Sequence, residues 1–236
     1  MTLTVATYNI AAGLSNGYFR KKNYYKSAEV IRTIDADIIT LNEVGKPLPT
    51  FIKEHTAFLA EYCGYKYFTF AKATMFGSFP YGNAILSKYP IENIEVTPMR
   101  KFIHIGPGIY EPRCILTAQV HSEKNLRVMC THFGLMPDEQ KYGVRNVVSQ
   151  IEKAHIPTIF MGDLNINGKK TVIQPLRRLL TDVCDIHKGN INTFPAKKPK
   201  KRLDYIFISD NINIEDVYTV KSVASDHLPL VAKIVV

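Results

Sequence analysis

The sequence has no Cys-X-X-Cys pair, no glycine- or serine-rich linker, and no apolar run near the ~18–20 residues that span a bilayer. The first absence argues against a structural zinc site, because Cys63, Cys114, Cys130 and Cys184 stand singly. The second leaves residues 1–236 as one domain, large enough to bury a substantial core. The third argues against a transmembrane segment. Ahead of the strand-like Leu3–Ile10 there is no basic stretch and no small-residue cleavage site, so no signal peptide is expected. Cys114 and Cys130 fall in apolar runs where buried free thiols are the default, which favours a reducing, cytoplasmic setting.

Acid is scarce relative to base. Lys and Arg number 30 against 21 Asp and Glu, a net charge of +9. Such a surface favours polyanions: nucleic acid, anionic lipid or phosphorylated metabolites. It also serves solubility alone, so charge names no ligand. The 46% apolar and 22% charged content is that of an ordinary globular chain and excludes a disordered one.

Hydrophobic periodicity divides the chain into alternating elements. Leu3–Asn9 is rich in β-branched residues and reads as a strand. Asn23–Ile34 carries Ala28, Ile31 and Ile34 at helical spacing. Asp37–Leu41 is a short buried strand ending at Asn42-Glu43. Thr50–Tyr62 reads as a helix stopped by Gly64. Strands are expected over Tyr65–Ala71, Asn83–Ser87, Ile91–Thr97, Arg113–Val120 and Leu126–Thr131. Pro137 suits a first helical turn, and Val144, Val147, Val148 and Ile151 continue that helix. Thr158–Met161 is a strand ending at Gly162-Asp163, and Thr171–Leu180 a helix. Asp204–Ile208, Ile214–Val220 and Leu228–Val235 are late strands. This mixture implies sheets packed face to face with helices outside. Ala196–Arg202 (AKKPKKR) is the one charge run and reads as an exposed loop.

Several apolar strands end at a polar, metal-competent residue: Asn9, Glu43, His132, Asp163 and Asn165. Asp226 and His227 stand just before the last strand. Strand ends are rigid, so residues far apart in sequence can meet along one sheet edge. Phosphoester hydrolysis needs such a set. A cation must neutralise the anionic phosphate, and Mg²⁺ or Mn²⁺ takes oxygen ligands that Glu43, Asp163 and Asp226 supply. A water must be oriented and deprotonated, or the developing charge stabilised. Imidazole, with a reference pKa of ~6.5, suits either task, and His132 and His227 are candidates. Asp204 is a candidate to hold one of those rings. Each residue alone has an ordinary reading too: Asp163 and Asn165 as turn formers, Asp204 as a cap, His227 as a core histidine. His55, His104, His121, His155 and His187 have no comparable context. Glu139 reads as a helix-opening carboxylate, and Arg145 as part of a solvated helix face. Tyr18, Phe19, Tyr24 and Tyr25 beside Arg20-Lys21-Lys22 suit base stacking or lipid contact, or core cover.

The motifs Thr7-Tyr-Asn9-Ile, Leu41-Asn-Glu43-Val, Gly82-Asn-Ala-Ile-Leu-Ser87, Thr131-His132-Phe, Gly162-Asp163-Leu-Asn165, Arg202-Leu-Asp204-Tyr-Ile-Phe and Ser225-Asp226-His227-Leu-Pro run in order from residue 7 to residue 229. Together they resemble the motif set of the endonuclease/exonuclease/phosphatase superfamily, which includes pancreatic-type deoxyribonucleases, exonuclease III-type nucleases, neutral sphingomyelinases and inositol polyphosphate 5-phosphatases. Single motifs of this kind recur by chance; the ordered set is specific. The resemblance implies an α/β fold of the deoxyribonuclease I type, a four-layer α/β sandwich with two central mixed β-sheets flanked by helices. It implies a Mg²⁺- or Mn²⁺-dependent phosphodiesterase or phosphatase. Asn9, Glu43 and Asp226 would hold the metal, and Asp163 would orient or activate water. Asn165 would contact the transition-state oxyanion, and Asp204 and His227 would act as a dyad. His132 matches a histidine at the scissile phosphate, where apurinic endonuclease-type members carry tyrosine. That departure and the absence of tryptophan argue against a dedicated apurinic endonuclease. Asn83 and Arg113 match positions that contact phosphate less directly. The expected partner of this monomer is a phosphoester substrate, with nucleic acid as the narrower alternative and a silent phosphate-binding module as a third. One metal or two, and which residue is the base, stay open.

Overall fold

The computed structural model describes residues 1–14, 23–45, 54–76, 79–99, 110–168, 171–186 and 191–236. The described elements, in chain order, are β1 (Thr2–Asn9), α1 (Tyr24–Ile34), β2 (Ile38–Val44), α2 (His55–Cys63), β3 (Tyr67–Phe76), β4 (Phe79–Ser87), β5 (Ile91–Met99) and β6 (Arg113–His121). There follow β7 (Asn125–His132), α3 (Pro137–Ile151), β8 (Thr158–Asp163), α4 (Gln174–Arg177), β9 (Thr181–Asp182), β10 (Asp204–Ile208), β11 (Asn213–Thr219) and β12 (Leu230–Val235). They build two six-stranded mixed sheets, ordered β11-β12-β1-β2-β4-β3 and β5-β6-β7-β8-β10-β9. The parallel pairs are β1–β2 and β7–β8.

Three apolar clusters stack these elements into the four layers expected. Between the sheets lie Leu3, Val5, Ile38, Val128, Ile159, Ile206 and Ala232. Outside the first sheet, Tyr24, Ala28 and Ile31 of α1 and Leu59 of α2 pack on Ala6, Tyr8 and Ile39. Outside the second, Val144, Val147 and Ile151 of α3 and Leu176 of α4 pack on Met129, Phe160 and Phe207. The central strands therefore bury both faces, which explains their near-continuous apolar runs, whereas the edge strands β5 and β11 are largely exposed.

Strand alternation positions the site. In β1 the inter-sheet face holds Leu3 and Val5, and by alternation of side chains that face continues to Thr7 and Asn9. The same parity leads from Ile38 to Asn42, from Ile85 to Asn83, from Val128 and Cys130 to His132, from Ile159 and Met161 to Asp163, and from Ile206 to Asp204. A one-residue slip of any of these strands would turn its site residue from the inter-sheet face to the helix-covered face and undo the close packing of both, so core packing holds the site in register.

Three expected elements are corrected. The helix over Thr171–Leu180 is a 3-10 turn over Thr171–Ile173 followed by a short α4. Pro175 lacks an N–H and fits only a first helical turn, which keeps the α-helix from starting earlier. The strand expected from Tyr65 starts at Tyr67 and continues to Phe76, pairing with β4 through a register shift between Lys72 and Thr74. The helix expected from Thr50 begins at His55, with residues 50–53 outside the described ones. It ends at Gly64 in the left-handed conformation. Glu139 opens α3 and accepts the Met136 N–H at 3.2 Å, and Arg145 is exposed on that helix. Cys114, Cys130 and Cys184 are buried free thiols, and Cys63 is half-buried and free. Tyr24 is buried and stacks on His55 at 4.2 Å, whereas Tyr25 is exposed. Tyr18, Phe19, Arg20–Lys22, His104 and His187 lie outside the described residues. Among those described, no helix is long and apolar enough to cross a membrane.

Candidate active site

The sheets bring Asp163 to the middle of a polar cluster. Its strand neighbours are His132 in β7 and Asp204 in β10. Gly162 makes that close approach feasible: its φ is +146°, and a Cβ there would sit 1.9 Å from the Thr131 carbonyl oxygen. The Asp163 carboxylate accepts the Asn9 amide at 3.0 Å and the Asn165 backbone N–H at 2.9 Å. Its Oδ2 lies 3.5 Å from His132 Nε2 and 3.6 Å from His227 Nε2. Burial raises its pKa; His227 opposes that shift and Asp204 adds to it.

His227 Nδ1 meets Asp204 Oδ2 at 2.8 Å. Burial works against a charge on this ring, but Asp204 and Asp163 outweigh it and lift its pKa well above the ordinary value. The ring is held by the Phe194 ring, 4.9 Å away between centroids, and its backbone N–H by Ser225 Oγ at 3.2 Å. Ser225 Oγ in turn donates to the Asn9 carbonyl at 2.7 Å, joining β1 to the segment before β12. Asp204 Oδ1 is buried without a partner.

His132 behaves differently. Arg113 Nη1 lies 2.8 Å from its Nδ1. A guanidinium only donates, so Nδ1 accepts and the ring proton sits on Nε2. Burial, then Arg113, then His227 lower its pKa well below the ordinary value and keep the ring neutral. Asn165 Nδ2 donates to the Phe133 carbonyl at 3.0 Å, which identifies the nitrogen end of that amide. The same Nδ2 lies 3.0 Å from His132 Nε2. Two N–H groups therefore lie side by side next to Asp163.

On the other side of Asn9, its amide nitrogen also donates to Glu43 at 3.1 Å. Glu43 adopts a left-handed backbone with φ +58°, and so does Asn165 at +52°. Glutamate in that region costs ~1–2 kcal/mol, a strain tolerated where a side chain must point one way. Asp226 is half-buried, and its pKa is raised by burial, with His227 opposing and the nearby Glu43 adding. A carboxylate whose ionised form is disfavoured beside a second carboxylate suits a dication. The donors are oxygen and nitrogen, with no thiolate among them. Asp163, Asp204 and His227 also place ligand atoms within 4.8 Å of one another, but a protonated His227 ring has no lone pair to offer a cation.

Asn83 is 2% exposed, and its described bonds are internal: it accepts from Asn42 at 2.8 Å and donates to the Cys114 carbonyl at 3.2 Å. Arg113 pairs with Glu111 at 2.9 Å as well as with His132. Asn42 was not among the residues expected at the site. Its amide donates to Asn83 and to the Thr131 carbonyl at 3.0 Å, and its oxygen accepts the Asp163 N–H at 2.9 Å. Its even-numbered parity with Ile38 was the available signal. His121 pairs with Glu92 at 3.1 Å, far along β6, and His155 is exposed.

A two-sheet sandwich with carboxylates, asparagines and histidines gathered where its strands end defines a class of phosphoester-cleaving proteins. The chain belongs to the Endonuclease/Exonuclease/phosphatase family, which it matches over residues 6–227. It is 26% identical to the protein YbhP of Escherichia coli K12, over 98% of this chain and 95% of that one. Two solved structures share the fold. A mannosyl-6-phosphatase of Bacteroides thetaiotaomicron superimposes with a TM-score of 0.76 at 16% identity, covering 99% of this chain and 100% of that one. TDP2 of D. rerio with a single-strand DNA product superimposes with a TM-score of 0.72 at 16% identity, covering 100% and 99%.

Proposed function

We propose that this protein is a divalent-metal-dependent hydrolase of phosphoester bonds. The observation that carries this reading is Asp163, buried between two histidines, one held by Arg113 and the other by Asp204. Asn9, Glu43 and Asp226 would hold Mg²⁺ or Mn²⁺, which when bound neutralises the phosphate and polarises the scissile bond. Asp163 orients the attacking water and takes its proton; its raised pKa makes it a better base than a free carboxylate. His227, kept protonated by Asp204, offers Nε2–H to the charge that develops on phosphorus-bound oxygen. The neutral His132 Nε2–H and the Asn165 amide converge as a second pair of donors for that oxygen. Arg113 fixes the His132 tautomer, and Asn83 positions Asn42 within the framework beneath Asp163.

The narrower reading, a nuclease, draws support from the net charge of +9 and from the DNA product in TDP2. The phosphatase among the fold neighbours supports a small phosphoester equally. Free, mostly buried thiols fit a cytoplasmic setting. The test is hydrolysis of bis-p-nitrophenyl phosphate, supercoiled plasmid, single-stranded DNA, sphingomyelin and an inositol polyphosphate with Mg²⁺ or Mn²⁺, wild type beside Asp163→Asn. Turnover is expected to vanish in EDTA, to return with the cation, and to fall at least ~10²-fold in Asp163→Asn. Turnover that survives exhaustive chelation overturns the metal dependence, and turnover indifferent to Asp163→Asn overturns the site.

A further inference from the structure

The reaction above leaves the charge run unused. In the fold, residues 194–201 close a tight hairpin. Thr193 N–H and Phe194 N–H both donate to the Lys201 carbonyl, at 2.8 and 2.9 Å, and Lys200 N–H and Lys201 N–H return to the Phe194 carbonyl at 2.8 and 2.9 Å. Two further bonds pin it around the dyad: Ala196 N–H donates to the Asp226 carbonyl and Leu228 N–H to the Thr193 carbonyl, each at 2.7 Å. The hairpin thus grips the backbone on both sides of His227, while Phe194 packs on its ring.

Arg202, at its end, departs from the exposed loop expected: it pairs with the buried Asp182 at 2.7 Å and lies over the Tyr205 ring. Lys197, Lys198, Lys200 and Lys201 are all exposed or half-exposed. Among the described residues none of the four forms an ion pair. Beside the hairpin opens a cleft of about 950 Å³. It is lined by Ala196, Lys197 and Pro199 of the hairpin and by Lys221, Ser222 and the exposed Val223 beyond β11, and no carboxylate lines it. That volume suits a phosphorylated small molecule or a nucleotide segment.

We propose that the lysine hairpin and this cleft form a subsite for the non-scissile phosphates of a polyphosphorylated substrate. Four like charges on so short a stretch repel one another, and a polyanion laid across them relieves that repulsion. The backbone bonds hold the hairpin in place before the ligand arrives, which lowers the ordering cost of binding. The hairpin exposes no large apolar side chain that would favour a membrane. This inference rests on the phosphoesterase reading for the word substrate, but binding can be measured without turnover.

The test compares wild type with Lys197→Ala/Lys198→Ala/Lys200→Ala/Lys201→Ala, and separately with Lys221→Glu, at a position that lines the cleft outside the hairpin. None of the five lysines is buried, so unchanged melting is expected. In EDTA, binding of a labelled single strand of about twelve nucleotides is followed by anisotropy against salt. The fourfold variant is expected to bind about tenfold more weakly, with the salt slope reduced by about 0.7 for each phosphate no longer neutralised. Lys221→Glu is expected to weaken binding too. Inositol hexakisphosphate competing with the strand identifies a compact polyphosphate as sufficient, and failure to compete identifies a polymer. Hydrolysis of bis-p-nitrophenyl phosphate, which has no second phosphate, is expected to be unchanged in both variants. Equal affinity of wild type and the fourfold variant overturns the subsite even if the enzyme turns over. Binding confined to anionic vesicles overturns it as well. Weakened binding with no turnover in any protein upholds the subsite and removes the phosphoesterase reading alone.

Discussion

Replacing Asn42 by alanine removes four hydrogen bonds beneath the site at once: to Asn83, to Cys130 Sγ, to the Thr131 carbonyl and from the Asp163 N–H. All of these partners belong to buried residues, and Asn42 is itself fully buried. A buried orphan costs ~1–3 kcal/mol, and entry of a water into the space vacated recovers part of it. We expect a net loss of about 3–4 kcal/mol, a large share of the ~5–15 kcal/mol available to a domain. For a chain of this length that lowers Tm by roughly 10 °C. Asn42→Asp keeps an acceptor for Asp163 but turns a carboxylate oxygen on two other acceptors, so it should be no milder. The functional effect follows the same bonds. Asp163 loses the anchor on its backbone, and loss of positioning of that kind costs ~10²-fold in rate. The assay is urea unfolding followed by circular dichroism, beside turnover of bis-p-nitrophenyl phosphate at a temperature where the variant is folded. A stability loss below about 1 kcal/mol would refute the closed network. Normal turnover would refute its role in holding Asp163.

His227→Ala should lower kcat by ~10²–10⁴-fold, while His155→Ala, at an exposed position, should leave it unchanged; equal effects would sink the dyad. Removing His132 should change how stability responds to acid. Its folded pKa is lowered, so below the ordinary imidazole range the unfolded chain takes up a proton that the folded chain refuses, and stability falls as pH falls. Urea unfolding in EDTA at about pH 7.5 and about pH 5.5 should show that loss in wild type beyond whatever His132→Gln shows, and parallel losses would contradict a neutral, buried His132.

Much of this was legible in the sequence because β-strands write their faces as alternation. Leu3, Val5 and Asn9 share a parity, as do Val128, Cys130 and His132, and the inward face therefore carries the site residue at its end. The ordered motifs extend that reading to the family. Local chemistry misled where it was weak. Nothing over 171–180 separates a long helix from a 3-10 turn and a short one except Pro175, and the Lys72–Thr74 register shift interrupts the alternation of β3.

The amino-acid order by itself determined the layers, the strand ends and the kinds of side chain found there, since periodicity and residue type are local properties. Only the tertiary structure decided what those side chains became. Asp163 and Asp204 are 41 positions apart, yet they face each other because β8 and β10 pair in that register. His132 and His227 are chemically identical, and their pKa values shift in opposite directions because one ring meets a guanidinium and the other a carboxylate. A run of lysines became a pinned hairpin beside the dyad because the Asp226 and Thr193 carbonyls found partners across it. Protonation, tautomer and proximity depend on distances through space, and those exist only once the sheets have packed.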